Sequence, residues 1–161
     1  MKMRFVFLLS IIAVAFFIAA PRLVAAGGAT KMVSPDSRFS IEQPNNSGQW
    51  KSNDLTVEYS YSKDQGQMDI SGNVRFATYL SLGYGNLHEF RLGAIFLDEN
   101  GRVIEQTGLV TNRGDLGEIA FKRKIKLPLN AVSMAFTYQG SAASSGGNGA
   151  GPISFSFYPV H

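Results

Sequence analysis

Over most of its length this chain places an apolar residue at every second position, and that period of two constrains the fold more than any other feature. Leu55, Val57, Tyr59 and Tyr61 alternate with Asp54, Thr56, Glu58 and Ser60, and Met68, Ile70, Val74 and Phe76 oppose Gln67, Asp69, Ser71, Asn73 and Arg75. The pattern returns at Ile119, Phe121, Ile125 and Leu127, at Val132, Met134, Phe136 and Tyr138, and at Ile153, Phe155 and Phe157. Successive side chains on a strand project to opposite faces, so each segment has one dry face and one wet face. Strands of this kind belong to antiparallel sheets with one side in solvent.

The run Phe90 to Gln106, FRLGAIFLDENGRVIEQ, reads as a hairpin turning at Asp98-Glu99-Asn100-Gly101. Asn-Gly between apolar runs is a strong hairpin signal, because Gly101 tolerates the positive φ of a tight turn and Asn100 accepts it at small cost. Asp64-Gln65-Gly66 marks another turn of the same kind. Ala94-Ile95-Phe96-Leu97 is apolar at consecutive positions, as in a central strand covered on both faces. Seven or eight strands result, with no helical pattern beyond the N-terminus. The fold class expected is all-β, an antiparallel β-sandwich whose two sheets bury their apolar faces against each other. A closed small barrel is the alternative architecture.

The N-terminus has its own logic. Lys2 and Arg4 precede an apolar run from Phe5 to Ala20 broken only by Ser10, and the small residues Ala25 and Ala26 stand before Gly27. This is the layout of a secretory signal peptide cut after Ala26. An uncleaved signal anchor is the competing reading, disfavoured because about 20 apolar residues are needed to span a bilayer and Pro21 and Arg22 end the run early. Residues 1–26 are therefore expected to be a signal peptide or signal anchor, residues 27–38 a flexible linker, and residues 39–161 the β-sandwich domain. Phe39 to Glu42 reads as a short first strand and Pro44 to Gly48 as a turn; Asn45-Asn46-Ser47 fits the glycosylation pattern but is read as loop.

Export changes the meaning of the charge. The chain has 15 Lys+Arg and 12 Asp+Glu, for a formal +3. Lys2, Arg4 and Arg22 precede the expected cut and no acidic residue does, so 12 basic residues face 12 acidic ones in the remainder. A neutral domain gives no reason to expect a nucleic-acid partner. Cysteine is absent, which excludes disulfide staples, thiolate metal sites and Cys nucleophiles. An exported domain without staples must be held by its core.

The run Ile70-Ser71-Gly72-Asn73-Val74, the hairpin Phe96-Leu97-Asp98-Glu99-Asn100-Gly101-Arg102-Val103 and the closing Phe136-Thr137-Tyr138 resemble the immunoglobulin-like FxLYD type of exported bacterial domain. Where that family carries Leu-Tyr-Asp, this chain has Phe96-Leu97-Asp98. The resemblance implies an immunoglobulin-like sandwich on an exported protein and carries over no catalytic residues.

Candidate sites are few. His88 and His161 are the only histidines, no Gly-x-Ser-x-Gly elbow is present, and Asp98-Glu99 at a hairpin tip offers too few oxygens for calcium. No catalytic residue, cofactor or metal is expected, and the chain is not read as an enzyme. Lys122, Lys124 and Lys126 line one face of a strand, either to guard a sheet edge or to grip an anionic surface. Arg123 falls on the apolar side of that strand and calls for a carboxylate partner or a place at the rim. Ala77 to Glu89 is apolar for a connection between strands, and Tyr79, Leu82, Tyr84 and Leu87 form either an exposed contact patch or a lid over the sandwich end. Gly140 to Gly151 is nearly all small residues and reads as a loop.

The expected function is an exported, non-catalytic β-sandwich that serves as an interaction or structural module of the bacterial cell envelope. It would be periplasmic or extracellular, held at the inner membrane only if its N-terminal segment is uncut, with another envelope protein as partner. The alternative is a carbohydrate- or lipid-binding module that uses the apolar aromatic loop.

Overall fold

The computed structural model describes residues 31–143 and 151–160. The expected signal segment, residues 27–30 of the expected linker, residues 144–150 of the small-residue stretch and His161 lie outside them. Nine strands, one short α-helix and a single 3-10 turn at Pro35–Ser37 are formed by the described residues: β1 (Phe39–Ser40), β2 (Asn45–Lys51), β3 (Leu55–Asp64), β4 (Gln67–Phe76), α1 (Thr78–Gly83), β5 (Asn86–Leu97), β6 (Val103–Gly114), β7 (Ile119–Lys126), β8 (Ser133–Ala143) and β9 (Ile153–Phe157). They make two antiparallel sheets. One has the order β2-β3-β4-β7; the other has the order β1-β8-β5-β6, with β9 also paired to β8. No strand of one sheet pairs with a strand of the other among the described residues, which excludes the closed barrel there.

The period of two becomes the core. Leu55, Val57, Tyr59 and Tyr61 of β3, Met68, Ile70 and Val74 of β4, and Ile119, Phe121 and Ile125 of β7 are buried in the same cluster as Phe90, Leu92, Ala94 and Phe96 of β5 and Met134, Phe136 and Tyr138 of β8. Rings meet across the gap between the sheets: Tyr59 and Phe136 lie 5.4 Å apart, Phe76 and Phe90 5.1 Å, Trp50 and Phe157 5.2 Å. Such edge-to-face and tilted pairs add to the hydrophobic gain from area alone.

Both expected hairpins form, for slightly different reasons. Between β3 and β4, Gln65 and Gly66 both take positive φ, the two-residue turn that matches strand twist. Between β5 and β6 only Gly101 does. There the anchor is Asp98, whose Oδ1 accepts the backbone N–H groups of Asn100 and Arg102 at 2.9 and 2.8 Å.

Five expectations need correcting, the first being the strand count, which is nine among the described residues rather than seven or eight. Asn45 to Gly48 is not a turn but the start of β2, paired residue for residue with β3; a polar edge strand exposes both faces and so loses the alternation that would reveal it. Residues 140–143 belong to β8 rather than to a loop. A helix is present after the N-terminus, the six-residue α1, too short for its periodicity to be read. Residues 31–38 do not run free of the domain. Val33 is 3% exposed; its N–H donates to Gly101 O at 2.9 Å, and it bridges to Val160.

That docking explains the doubly apolar segment of β5. Ala94 and Phe96 face the main core, while Ile95 and Leu97 face outward into a small second cluster with Val33, Ala135, Val103 and Val160. The outer face of a sheet is here capped by chain segments rather than by water.

The main core also depends on glycine. Gly48 stands opposite Tyr59, Gly72 opposite Phe121 and Gly140 opposite Phe155 in the strand registers. A Cβ on these glycines would fall 2.8 Å from Tyr59 Oη, 2.9 Å from Phe121 Cζ and 2.6 Å from Phe155 Cε2. The ring of one strand occupies the space that a side chain on the next would need, and at Gly72 the Glu58 carbonyl oxygen stands in that space as well.

Two stability predictions follow from this packing. Gly140→Ala should lower unfolding stability by about 1–3 kcal/mol through overpacking, whereas Gly108→Ala, whose Cβ meets nothing within 4 Å, should not lower it; denaturant midpoints compare them. Val33→Ala should cost about 1–2 kcal/mol, two buried methyl groups plus the space they leave, and an unchanged midpoint would show that the segment is not docked.

Candidate functional site

The residues singled out in the sequence do not form one site. Lys122, Lys124 and Lys126 lie exposed on β7, an edge strand, opposite Ser71, Asp69 and Gln67 of β4. Lys124 Nζ stands 3.6 Å from Asp69 Oδ2, so an acid interrupts the row. Arg123, expected on the apolar side, is exposed at the sheet margin opposite Ile70 and takes part in no ion pair among the described residues. An outer strand with a free flank leaves room for a long side chain to reach solvent.

The apolar connection divides. Tyr79 and Leu82 on α1 are 48% and 83% exposed, Tyr84 is half-buried against the core, and Leu80 and Leu87 are buried. Leu87 belongs to β5 and is 1% exposed, which removes it from any contact patch. A continuous aromatic shelf is therefore absent: the apolar side chains at alternate positions of the helix and strand turn inward.

Tyr79 is itself tied down. Its Oη donates to Asp54 Oδ1, and Tyr138 Oη donates to Asp54 Oδ2 at 2.6 Å. Ser52 Oγ lies 3.0 Å from Tyr138 Oη and donates to Leu55 O at 3.1 Å. The Ala77 N–H donates to Asp54 O at 2.7 Å. One carboxylate thus binds the β2–β3 loop, α1 and β8 together at one end of the sandwich. Burial, then the Asp54 hydrogen bond, pushes the Tyr79 phenol up to about 12, and burial leads the same causes for Tyr138. Both phenols stay protonated donors at neutral pH, as a clamp requires and a nucleophile does not. Sequence reading missed this because Asp54 looks like any wet-face residue, and its partners are 25 and 84 residues away.

A concavity of about 710 Å³ lies elsewhere, on the outer face of the five-stranded sheet. Gly93 of β5 stands opposite Gly108 of β6 on one side and Thr137 of β8 on the other. The floor is therefore two glycines and one short side chain. Thr137 Oγ1 donates to Phe157 O at 2.8 Å, so its hydroxyl is turned to the backbone of the chain beside it. A bulge between Leu92 and Gly93 brings the two glycines into register.

The walls are polar. Arg91, Gln139 and Ser156 form a row across β5, β8 and β9. Arg91 Nη2 pairs with Glu89 Oε1 at 2.9 Å, and Arg113 Nη2 approaches the same oxygen at 3.4 Å; the Arg91 hydrogen bond leads the causes that hold the Glu89 carboxyl below its ordinary range. At the other end Tyr158, 48% exposed, meets Gln106 Oε1 at 3.5 Å, joining side chains from the two margins of the sheet above the glycines. Beyond that bridge begins the apolar cluster of Ile95, Leu97 and Val33. A shallower depression of about 350 Å³, lined by Glu89, Ser141 and Ser154, shares Gln139 and Ser156 with the first and extends it along β8 and β9.

None of these wall residues stood out in the sequence. The only signal was an outward row of amides and hydroxyls beside strand glycines, which mark places where a ligand or another backbone comes close. His88 is exposed on β5, and among the described residues no group of three or more His, Cys, Asp or Glu side chains is arranged to hold a metal. Comparison with protein-family models, curated proteins and solved structures finds no match.

The raised tyrosines make a pH prediction. Tyr59, Tyr61, Tyr79 and Tyr138 all sit above 10.0, the ordinary value. The folded state thus holds these protons more tightly than the unfolded chain, and the stability this gives is complete below pH 10.0 and lost as pH rises toward about 12, where Tyr79 ionises. Denaturant titrations across that window should show a decline that is shallower in Tyr79→Phe; equal slopes would disprove the clamp's part in it.

Proposed function

We propose that this chain is an exported, non-catalytic binding module of the bacterial cell envelope, built on an immunoglobulin-like sandwich, and that it engages an envelope component through the outer face of the five-stranded sheet. The sheet orders support the fold reading. β9-β8-β5-β6 follows the sequence of strands G, F, C and C′ in an immunoglobulin variable-type sheet, and β3-β4-β7 follows A, B and E of the opposite one. The chain departs from that plan in adding β2 beside β3, in having no cysteine pair and in carrying its tryptophan, Trp50, on β2. The resemblance to exported FxLYD-type domains and the signal-like N-terminus agree with a place outside the cytoplasm.

The observation that carries the functional reading is the polar groove over Gly93 and Gly108. Side chains able to donate and accept hydrogen bonds surround a floor of two glycines and one threonine, open above Gly108. Recognition sites pair a preformed concavity with a few convergent polar groups.

Gly108 supplies the test. Its Cβ position is open and its backbone conformation is ordinary, so Gly108→Phe should fill the groove while leaving the fold intact. Wild-type protein immobilised against an envelope fraction should retain a defined component that Gly108→Phe loses and Gly108→Ala keeps. Retention of the same component by Gly108→Phe, or of none by the wild type, would overturn the reading.

A further inference from the structure

Resting on that reading, we propose that the groove and its extension form a carbohydrate site that takes a neutral oligosaccharide strand, lying from the Tyr158–Gln106 bridge toward Ser141 and Ser154. The track is unsuited to a peptide strand, a polyanion or an acyl chain. β5 and β8, which supply its floor, are paired on both sides, so their N–H and C=O groups are consumed and no extended peptide can add to them as a strand. The one guanidinium in the track, Arg91, shares the Glu89 carboxylate with Arg113, which leaves an excess of a single positive charge, too little to hold a phosphate or sulfate chain. Of the large exposed apolar side chains, Tyr158 alone lines the track, which is too little for an acyl chain.

What remains matches a polyol. Gln106 and Gln139 each offer two amide donors and a carbonyl acceptor, and Ser141, Ser154 and Ser156 offer hydroxyls that both donate and accept. Sugar hydroxyls need that mixture, because each is donor and acceptor at once. Tyr158 supplies the one exposed ring against which the C–H face of a pyranose can lie. Its 3.5 Å contact with Gln106 is long, so a sugar hydroxyl can replace it at small cost. From Thr137 to Ser141 the track runs four residues along β8, about 13 Å at the rise of a strand, enough for more than one ring. The missing side chain at Gly108, where a Cβ would meet nothing within 4 Å, lets the ligand approach the backbone closely.

The test is a backbone amide chemical-shift titration of the protein, purified as cells process it, against three neutral probes: cellohexaose, maltohexaose and the hexamer of β-1,4-linked N-acetylglucosamine. At least one should shift amides clustered around Gly93, Thr137 and Gln139. Tyr158→Ala and Gln139→Ala should each weaken binding about tenfold, the scale of one stacking face or hydrogen bond, and Gly108→Phe should abolish it with unchanged thermal unfolding. No shifts with any probe at millimolar concentration, shifts elsewhere, or equal shifts in Gly108→Phe would overturn the proposal. If the envelope component lost by Gly108→Phe is a protein that survives glycosidase treatment, the carbohydrate assignment fails and the binding module stands. Capture that ignores Gly108→Phe removes both.

Discussion

The rings of Tyr59, Phe121 and Phe155 each lie over a glycine on the neighbouring strand, and the close stacking of the two sheets depends on that arrangement. A ring laid flat over bare backbone fills the sandwich interior without pushing the sheets apart, and it shields the ladder beneath from water. The cost is a position at which no other residue fits. On the outer face of the five-stranded sheet the same residue type has the opposite effect. Gly93 and Gly108 pair with each other and form part of the floor of a groove.

One strand joins these two regimes. β5 presents Phe90, Leu92, Ala94 and Phe96 to the main core, while its outward residues change from Arg91 and Gly93 to Ile95 and Leu97 within two turns of the pleat. The apolar half needs a cover, which Val33 and Val160 provide from the two ends of the described chain. The polar half is left to solvent. The Tyr158–Gln106 bridge stands at the border between them. Docking of the 31–38 segment therefore does more than tidy an end: with Val33 it takes Ile95 and Leu97 of this face out of solvent.

The Asp54 clamp works at the opposite scale. A single carboxylate accepts two phenolic protons from different elements, which fixes α1 and with it the entry to β5. Tyr79, a residue whose exposure suggested a contact surface, is thereby committed to structure. Lys122, Lys124 and Lys126 sit where lysines discourage edge pairing, on β7, while β2 at the other margin of that sheet carries mainly uncharged polar residues.

The strands and their inward faces were legible in the sequence, because which way a side chain points depends only on the count along the strand. Leu55 through Tyr61 and Met134 through Tyr138 required nothing more, and Asp64-Gln65-Gly66 and Asp98 to Gly101 announced their turns through residues that tolerate or stabilise them locally. Where the reading missed, local pattern carried no information: Asn45 to Lys51 is an edge strand with Trp50 as its one apolar side chain, Val33 is one apolar residue whose partners lie far along the chain, and α1 spans less than two turns. The groove belongs to the same class. That Gly93 meets Gly108 and Thr137, and that Arg91, Gln139 and Ser156 form one row, follows from strand order and from a bulge at Leu92. Those are long-range pairings, chosen by how the two sheets bury their combined apolar surface, so the chemistry of each residue was determined by the sequence and its company only by the tertiary structure.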